Sequence, residues 1–295
     1  MSFVSPGQLY YEKQKVIQDC DHILAYAEFL RSEAGVNDKL PVDVDKIFKH
    51  FGIPEPLLAP LPQQQGMLLD ANHGIILINS TDPEKRQKFT KAHELAEMLF
   101  SELPRGKDLV EGWSLNRSGG FKEYTKESLC NSTAANLLMP TNYVQNQIKQ
   151  NGVNFDCARA IANTCDVSFL AALVQMAQNS GNGYFVALWR MKNKPADFKS
   201  QPDASQMTMF GVDTSMAPKK LRVEWCLGAI PQSRIPKDKS TEDISCIYQS
   251  WDTNKFTSGK AKIIFGTRNA TWFSSENMPF TNNDEKYVIS LMRKM

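Results

Sequence analysis

The chain has 295 residues, with 34 lysines and arginines against 32 aspartates and glutamates, so its formal net charge is only +2. Hydrophobic residues make up 42% and charged residues 22%, which is typical of a globular protein long enough for two domains. So small a net charge argues against a protein that coats nucleic acid and against a disordered acidic tail. No apolar run approaches the roughly 20 residues of a membrane span, and the first residues lack a signal-peptide pattern. We therefore predict a cytoplasmic protein.

The cysteine pattern argues against both disulfides and a zinc knuckle. The six cysteines include no CxxC pair, and without a secretion signal we expect free thiols that are mostly buried. Three of the four histidines lie far from every cysteine, and Cys20 with His22 forms only one close pair, so the ligand spacing of a zinc knuckle is excluded.

The N-terminal part predicts helices followed by a hairpin. Apolar residues at helical spacing indicate one helix from Leu9 to Leu30 and a shorter helix that ends at Gly52. Two strand-like runs, Gly66–Leu69 and Gly74–Asn79, flank a turn-forming segment and predict a β-hairpin.

The middle of the chain predicts further helices. Residues 80–84 combine capping side chains, a proline and an acid, which is typical of a helix start, and this helix should run to Phe100. Residues 101–124 are polar and rich in glycine, and they predict a long loop. Three more helices are expected near Thr125–Met139, Phe155–Asn163 and Ser168–Gln178.

The pattern changes after residue 183. Short runs rich in aromatic and β-branched residues, separated by proline and glycine, predict a β-rich second domain over 184–295, after a first domain over 1–180. The expected strands are Tyr184–Met191, Leu221–Leu227, Ile244–Trp251, Lys260–Phe265, Ala270–Phe273 and Tyr287–Met292.

The strongest chemical signal is the segment His93-Glu94-Leu-Ala-Glu97. On a helix, His93 and Glu97 lie one turn apart on the same face, with Glu94 beside them. This is nearly the H-E-x-x-H arrangement, in which two residues at i and i+4 hold a metal and the intervening glutamate activates a water molecule. Here Glu97 stands in place of the second histidine. One histidine and two glutamates on a helix are also commonplace, so the spacing alone leaves an ordinary polar face open.

The helical position of these residues favours a cation. His93 belongs to the apolar stripe of its helix, Glu97 lies at the edge of that stripe, and Glu127 lies on the apolar face of its own helix. No lysine or arginine occurs at helical spacing on those faces, and buried charges need a partner. A divalent metal would supply it. For Glu127 the alternative is an acid stabilised by the dipole at a helix N-terminus.

Several ordered segments resemble the ImmA/IrrE family of metallopeptidases. The segment from Gly74 to Glu94 is similar to the family's strand and active-site helix, and Glu127 to Pro140 resembles its E-x-x-A-N-x-F-A-A-x-L-L-M-P stretch. The resemblance covers about residues 40 to 180. It implies an α+β fold, with a mostly helical zincin-like domain that contains a small antiparallel sheet and ends in a helix-turn-helix-like pair. The β-rich domain resembles, in architecture only, the GAF-like sensor domains that some members carry.

The resemblance also implies roles for individual residues. His93 corresponds to a zinc ligand, Glu94 to the general base and Glu127 to the third ligand, while the second histidine ligand falls on Glu97. A carboxylate in place of an imidazole adds negative charge to the site and lowers the Lewis acidity of the ion. It should also move metal preference from Zn²⁺ towards Mn²⁺ or Fe²⁺. Tyr124 and Tyr143 are candidate donors to the oxyanion.

The function implied by the family is cleavage of a cytosolic helix-turn-helix transcriptional repressor, which derepresses stress, phage or mobile-element genes. The glutamate at position 97 leaves two functions open: an active metal-dependent endopeptidase, or a degraded pseudo-protease that binds and sequesters a regulatory protein. The second helix of the helix-turn-helix-like pair has no lysine or arginine, which argues against direct nucleic-acid binding. No motif specifies an oligomeric state.

Overall fold

The computed structural model describes residues 3–15, 17, 20–37, 39–102, 123–181, 183–194, 219–228, 235–265, 270–282 and 284–295. These residues divide between two compact units. The first comprises Met1–Gln147 and Ala158–Gln175, and the second comprises Ile148–Cys157 and Met176–Met295. Helices and two separate sheets confirm the predicted α+β class.

The first unit begins with three helices: α1 (Pro6–Gln14), α2 (Cys20–Glu33) and α3 (Val44–Phe51). The prediction of one helix from Leu9 to Leu30 is wrong, because Lys15 follows α1 with φ 63°, which no helix accommodates. The third helix agrees with its prediction. Asp43 caps its N-terminus, and Gly52 ends it in the left-handed conformation that glycine adopts without strain.

The small sheet contains β1 (Leu57–Ala59), β2 (Gly66–Asp70) and β3 (Ile75–Asn79), in the order β1-β3-β2. The predicted antiparallel pairing of the last two strands is confirmed. Strand β1 adds a parallel partner that the sequence did not indicate, since three residues are too few to show an alternating pattern.

Helix α4 (Glu84–Glu102) follows directly from the sheet, and α5 (Glu123–Leu138) packs against it. The turn between β3 and α4 is fixed by the buried Asn79, whose side-chain oxygen accepts hydrogen bonds from the backbone of Leu61 and of Thr81. Most of the predicted glycine-bearing loop, residues 103–122, lies outside the described residues.

Three further helices are α6 (Thr141–Asn151), α7 (Phe155–Cys165) and α8 (Phe169–Asn179). The last two agree with the sequence, whereas α6 was not predicted, because its sequence is polar and only Val144 is fully buried. Within the described ranges no single helix is both long enough and apolar enough to cross a membrane. Taken together, α7 and α8 meet that test of length and composition but bend by 116° at their junction.

The second unit is an antiparallel sheet with one helix. It contains β4 (Tyr184–Lys192), β5 (Lys220–Gly228), α9 (Cys246–Thr253), β6 (Thr257–Ile264), β7 (Ala270–Asn282) and β8 (Glu285–Lys294). The strand order is β5-β4-β8-β7-β6. Buried aromatic side chains from different strands, such as Phe185 and Phe273, meet edge to face at 5.5 Å in its core.

The predicted strand at Ile244–Trp251 is wrong, because the residues from Cys246 onwards form helix α9. The hydroxyl of Ser245 accepts a hydrogen bond from the backbone of Tyr248 and so caps the helix, which places the fully buried Ile247 in the core of the unit. Aromatic residues favour strands in isolation, but this cap and the packing outweigh that preference. The GAF-like resemblance stays a prediction.

Candidate metal centre

Helices α4 and α5 bring the predicted site residues together. On α4, His93 and Glu97 lie one turn apart, and their side chains are only 13% and 23% exposed. Glu94 is buried more deeply, at 4% exposure. The α4 part of the site therefore lies at the inner face of the helix, as the apolar stripe indicated.

Glu127 approaches from α5. Its Oε2 lies 3.6 Å from Nε2 of His93, so the structure places these two predicted ligands side by side. The side chain is nevertheless 55% exposed, and the inference that Glu127 lies on a buried surface is wrong. Glu127 thus reaches His93 from the solvent side.

Asn131 fixes the orientation of the histidine ring. Its amide nitrogen donates to Oε1 of Glu127 at 3.1 Å, because a carboxylate can only accept. The amide oxygen therefore faces Nδ1 of His93, 3.1 Å away, and Nδ1 must carry the proton that it donates. Nε2 then keeps its lone pair for a metal, which is how a neighbouring polar group commonly orients a histidine ligand. No sequence pattern indicated this role for Asn131.

Cys130 lies at the inner side of the same cluster. It is fully buried, and one ligand atom from each of His93, Glu97 and Cys130 lies within 4.8 Å of the others. Burial, followed by the negative charge of Glu97, raises the pKa of its thiol well above the ordinary value. No sequence pattern indicated Cys130 as a site residue, although it follows Glu127 by about one helical turn.

Lys126 supplies a positive charge that the helical spacing did not predict. Its Nζ lies 2.7 Å from Oε1 of Glu97, in an ion pair whose two side chains are only 28% and 23% exposed. The argument that these faces carry no lysine or arginine is therefore wrong for Glu97. A metal that binds Glu97 has to compete with this ammonium group.

Glu94 carries a strongly perturbed carboxyl group. Burial, together with the negative charges of Glu97 and Glu127, raises its pKa to about 8, against the opposing effects of Lys126 and the backbone amide of Leu68. Among the described residues, Oε2 of Glu94 has no hydrogen-bond partner. A carboxyl group with a pKa near neutrality can both accept and return a proton, as a general base requires.

Strand β2 crosses directly over this carboxyl group. A Cβ atom added to Gly66 would lie 2.3 Å from the Thr90 side chain and 3.1 Å from Oε1 of Glu94. Glycine at this position therefore allows the strand to approach α4 closely enough for the amide of Leu68 to reach Glu94.

Of the two tyrosines proposed as oxyanion donors, the structure describes the side chain of Tyr143 only. Tyr124 belongs to α5, but its side chain lies outside the described residues, and Tyr143 is half-buried on α6. The role of these tyrosines as oxyanion donors stays a prediction.

The second unit contains an open cleft of about 370 Å³. Lys260, Ser275 and Glu276 contribute its polar lining, and Tyr184 and Leu291 contribute part of its apolar lining. Glu276 also accepts a hydrogen bond from the backbone of Phe155 at 3.0 Å. The cleft therefore has a mixed polar and apolar lining.

Comparison with known proteins relates the first unit to a peptidase family. The model of the IrrE N-terminal-like domain, peptidase family M78, matches residues 57–175. The radiation response metalloprotease IrrE of Deinococcus deserti is 34% identical over 121 residues, which are 41% of this chain and 42% of that protein. The protein of the same name from Deinococcus radiodurans is 31% identical over 121 residues, 36% of its length. The chain thus matches about two fifths of each relative.

A solved structure extends the likeness in fold to the whole chain. A Mycobacterium tuberculosis transcriptional regulator superposes with a TM-score of 0.51, covering 100% of this chain and 82% of that one, at 11% identity. At this identity the likeness concerns the fold alone.

Proposed function

We propose that the chain is a metal-dependent endopeptidase, on the premise that residues 57–175 match the IrrE N-terminal-like domain of the ImmA/IrrE family. Its proposed substrate is a cytosolic helix-turn-helix transcriptional repressor, whose cleavage derepresses stress, phage or mobile-element genes. The observation that carries the proposal is the buried carboxyl group of Glu94 beside a histidine whose Nε2 is free to bind a metal.

The proposed ligands are His93, Glu97 and Glu127, and the chemistry of these donors fits a divalent cation. One neutral imidazole and two carboxylates would balance its charge, and the hydrogen bond from His93 to Asn131 presents the correct ring nitrogen. A divalent ion held there would supply a Lewis acid for the scissile carbonyl and would lower the pKa of the attacking water. The family implies Zn²⁺ for this site.

Glu94 is the proposed general base. Its carboxylate takes a proton from the attacking water and then passes this proton to the departing amine, which completes hydrolysis without another acid. Strand β2 supports the carboxylate through the amide of Leu68. It is also an edge strand of the described sheet, so an extended peptide can pair with it beside Glu94.

The ion pair between Lys126 and Glu97 favours the second candidate function. With its ammonium group 2.7 Å from the carboxylate, Lys126 neutralises the residue that replaces the second histidine, as a cation would. In a pseudo-protease this pair would stand permanently in place of a metal, and the domain would bind and sequester its partner. The β-rich unit, with its cleft, is the proposed sensor or recognition domain in both cases.

The test begins with the metal content of the purified full chain and its Glu127→Ala and Glu97→His variants. If the peptidase is active, we expect about one equivalent of a divalent metal per chain in the wild type and a loss of this metal in Glu127→Ala. If the wild type contains no metal and only the Glu97→His variant binds zinc, the result contradicts the proposed peptidase activity. It then favours the sequestration of a protein partner.

Cleavage is then measured on helix-turn-helix repressors of the same genome, each co-expressed with the chain and analysed by mass spectrometry. Glu94→Gln should slow cleavage by about 100-fold or more while the repressor still binds, since it removes only the base. Glu84→Gln, at the exposed start of the same helix, should cleave like the wild type. Cleavage by Glu94→Gln at the wild-type rate would refute the mechanism.

A further inference from the structure

Cys130 occupies a position that gives it access to the metal centre from the protein interior. It lies on α5, three residues after Glu127, so the two side chains project from the same face of the helix. Glu127 is 55% exposed, whereas Cys130 is fully buried. On that face, Cys130 therefore occupies the position towards the protein interior and Glu127 the position towards solvent.

The distances suit a ligand. The Sγ atom lies within 4.8 Å of a ligand atom of both His93 and Glu97. In a tetrahedral zinc site, with bonds of about 2.0–2.3 Å, neighbouring ligand atoms lie about 3.3–3.8 Å apart. Small rotations of three side chains, all on the packed pair α4 and α5, would close the remaining difference.

The metal preference of the other ligands explains why a thiol at this position matters. With Glu97 in place of an imidazole, a site of carboxylates and one histidine is harder and suits Mn²⁺ or Fe²⁺ better. A thiolate is the softest ligand that a protein offers to zinc. In the family stretch E-x-x-A-N, the position of Cys130 is that of the alanine, which cannot bind a metal.

We propose that Cys130 is the inner metal ligand of this protein, and that its thiolate, with His93 and Glu97, makes the centre selective for zinc despite the glutamate at position 97. Glu127 then takes the outer position, towards solvent. On binding, the sulfur–hydrogen bond is replaced by a sulfur–metal bond, and the proton passes to solvent. The inference rests on the proposed metal centre, although it does not require that the centre cleaves peptides.

The test uses the full chain loaded with Co²⁺, whose bond to a thiolate gives an intense charge-transfer absorption in the near ultraviolet. The wild type should show this band, and Cys130→Ala and Cys130→Ser should lose it. Cys165→Ala is the matched control, because Cys165 is an equally buried cysteine of the first unit outside the cluster, and this variant should keep the band.

Competition titrations provide the second readout. Cys130→Ala should weaken Zn²⁺ binding by about tenfold or more and Mn²⁺ binding by less than about threefold, because only the softer ion gains from sulfur. Circular dichroism of each variant verifies that it is folded.

The outcomes separate this inference from the proposed peptidase. If the wild type binds one equivalent of Co²⁺ without the charge-transfer band, Cys130 is not a ligand, and the peptidase proposal stands. An unchanged ratio of Zn²⁺ to Mn²⁺ affinity in folded Cys130→Ala overturns the inference in the same way. If neither the wild type nor Glu127→Ala binds any divalent ion, the metal centre and this inference both fail.

Discussion

The two units of this protein each contain a cluster of partly buried charges, and the two clusters are balanced differently. In the second unit, Lys192 lies 2.5 Å from Glu224 and 2.8 Å from Asp238, so one ammonium group serves two carboxylates. In the first unit, the ammonium group of Lys126 lies 2.7 Å from Glu97 and also acts through its charge on the buried Glu94, where it is outweighed by burial and by the neighbouring carboxylates.

The titration behaviour reflects this difference. Burial alone would raise the pKa of Glu224, but the hydrogen bond and charge of Lys192 lower it below the ordinary value. For Glu94, burial and the neighbouring carboxylates act in the same direction and raise the pKa to about 8. The second unit thus uses its charges for stability, whereas the first keeps a costly carboxyl group of the kind found at functional sites.

The largest effect is expected from Glu94→Gln in the metal-free protein. Because the folded pKa of Glu94 is raised above its ordinary value of 4.5, its contribution to stability is retained below pH 4.5 and is lost as the pH rises towards 8. The amide removes this cost, so the free energy of unfolding at pH 8 should increase by about 1–3 kcal/mol. Urea denaturation of both proteins in the presence of a chelator measures this change in the free energy of unfolding. A variant that is less stable than the wild type at both pH 5 and pH 8 would contradict this account.

The second prediction is a smaller change in the opposite direction: Lys192→Met should lower the free energy of unfolding. Glu224 has a lowered folded pKa, so its contribution is present above pH 4.5 and disappears as the pH falls through that lowered value. Burial alone would lower the pKa of Lys192, but Asp238 and Glu224 raise it, so its contribution is present below pH 10.5 and is lost at higher pH.

Between these two pH limits, Lys192→Met should reduce the free energy of unfolding by about 1–2 kcal/mol, and the reduction should be smaller in acid. Urea denaturation at several pH values measures it. Lys237→Met is the matched control, since Lys237 reaches the same carboxylate at 3.6 Å but is 63% exposed. It should change stability by less than about 0.5 kcal/mol. Equal losses in the two variants would show that the burial of Lys192 is irrelevant.

The smallest effect is expected from Lys126→Gln. Removing the ammonium group leaves Glu97 without the ion pair that a metal has to displace, so zinc should bind about 5- to 10-fold more tightly. Isothermal titration calorimetry measures the change, with Lys91→Gln as the control, because Lys91 of α4 pairs with Asp45 instead. Unchanged or weaker zinc affinity in Lys126→Gln would mean that the pair does not compete with a metal.

Local sequence signals predicted most of the elements and failed where packing decides. The hairpin at β2 and β3 and the helix over the His93 motif were correct, because turn residues, capping residues and apolar spacing all agree there. The strand predicted at Ile244–Trp251 is instead α9, because its cap and its buried face outweigh the aromatic composition. The polar helix α6 was not predicted, because a helix with one buried residue shows no periodic apolar pattern.

For the site, the sequence predicted the residue types and the helical face of α4. The spacing of His93, Glu94 and Glu97 fixes their proximity on any helix, so this part required no knowledge of the fold. The packing of α4 against α5 could not be predicted from spacing within one helix. It determines that Glu127 is exposed, that Lys126 pairs with Glu97 and that Asn131 orients His93.

The sequence by itself therefore determined the two kinds of structure in the chain, the motif on α4 and the resemblance to a metallopeptidase family, because these depend on neighbours within one or two helical turns. Only the tertiary structure decided which groups surround that motif. Cys130 lies 37 residues from His93 in the sequence, yet the packing of two helices brings the two side chains to one cluster. Burial and charge, and with them the raised pKa of Glu94, arise from that packing, since they depend on atoms that no local pattern specifies.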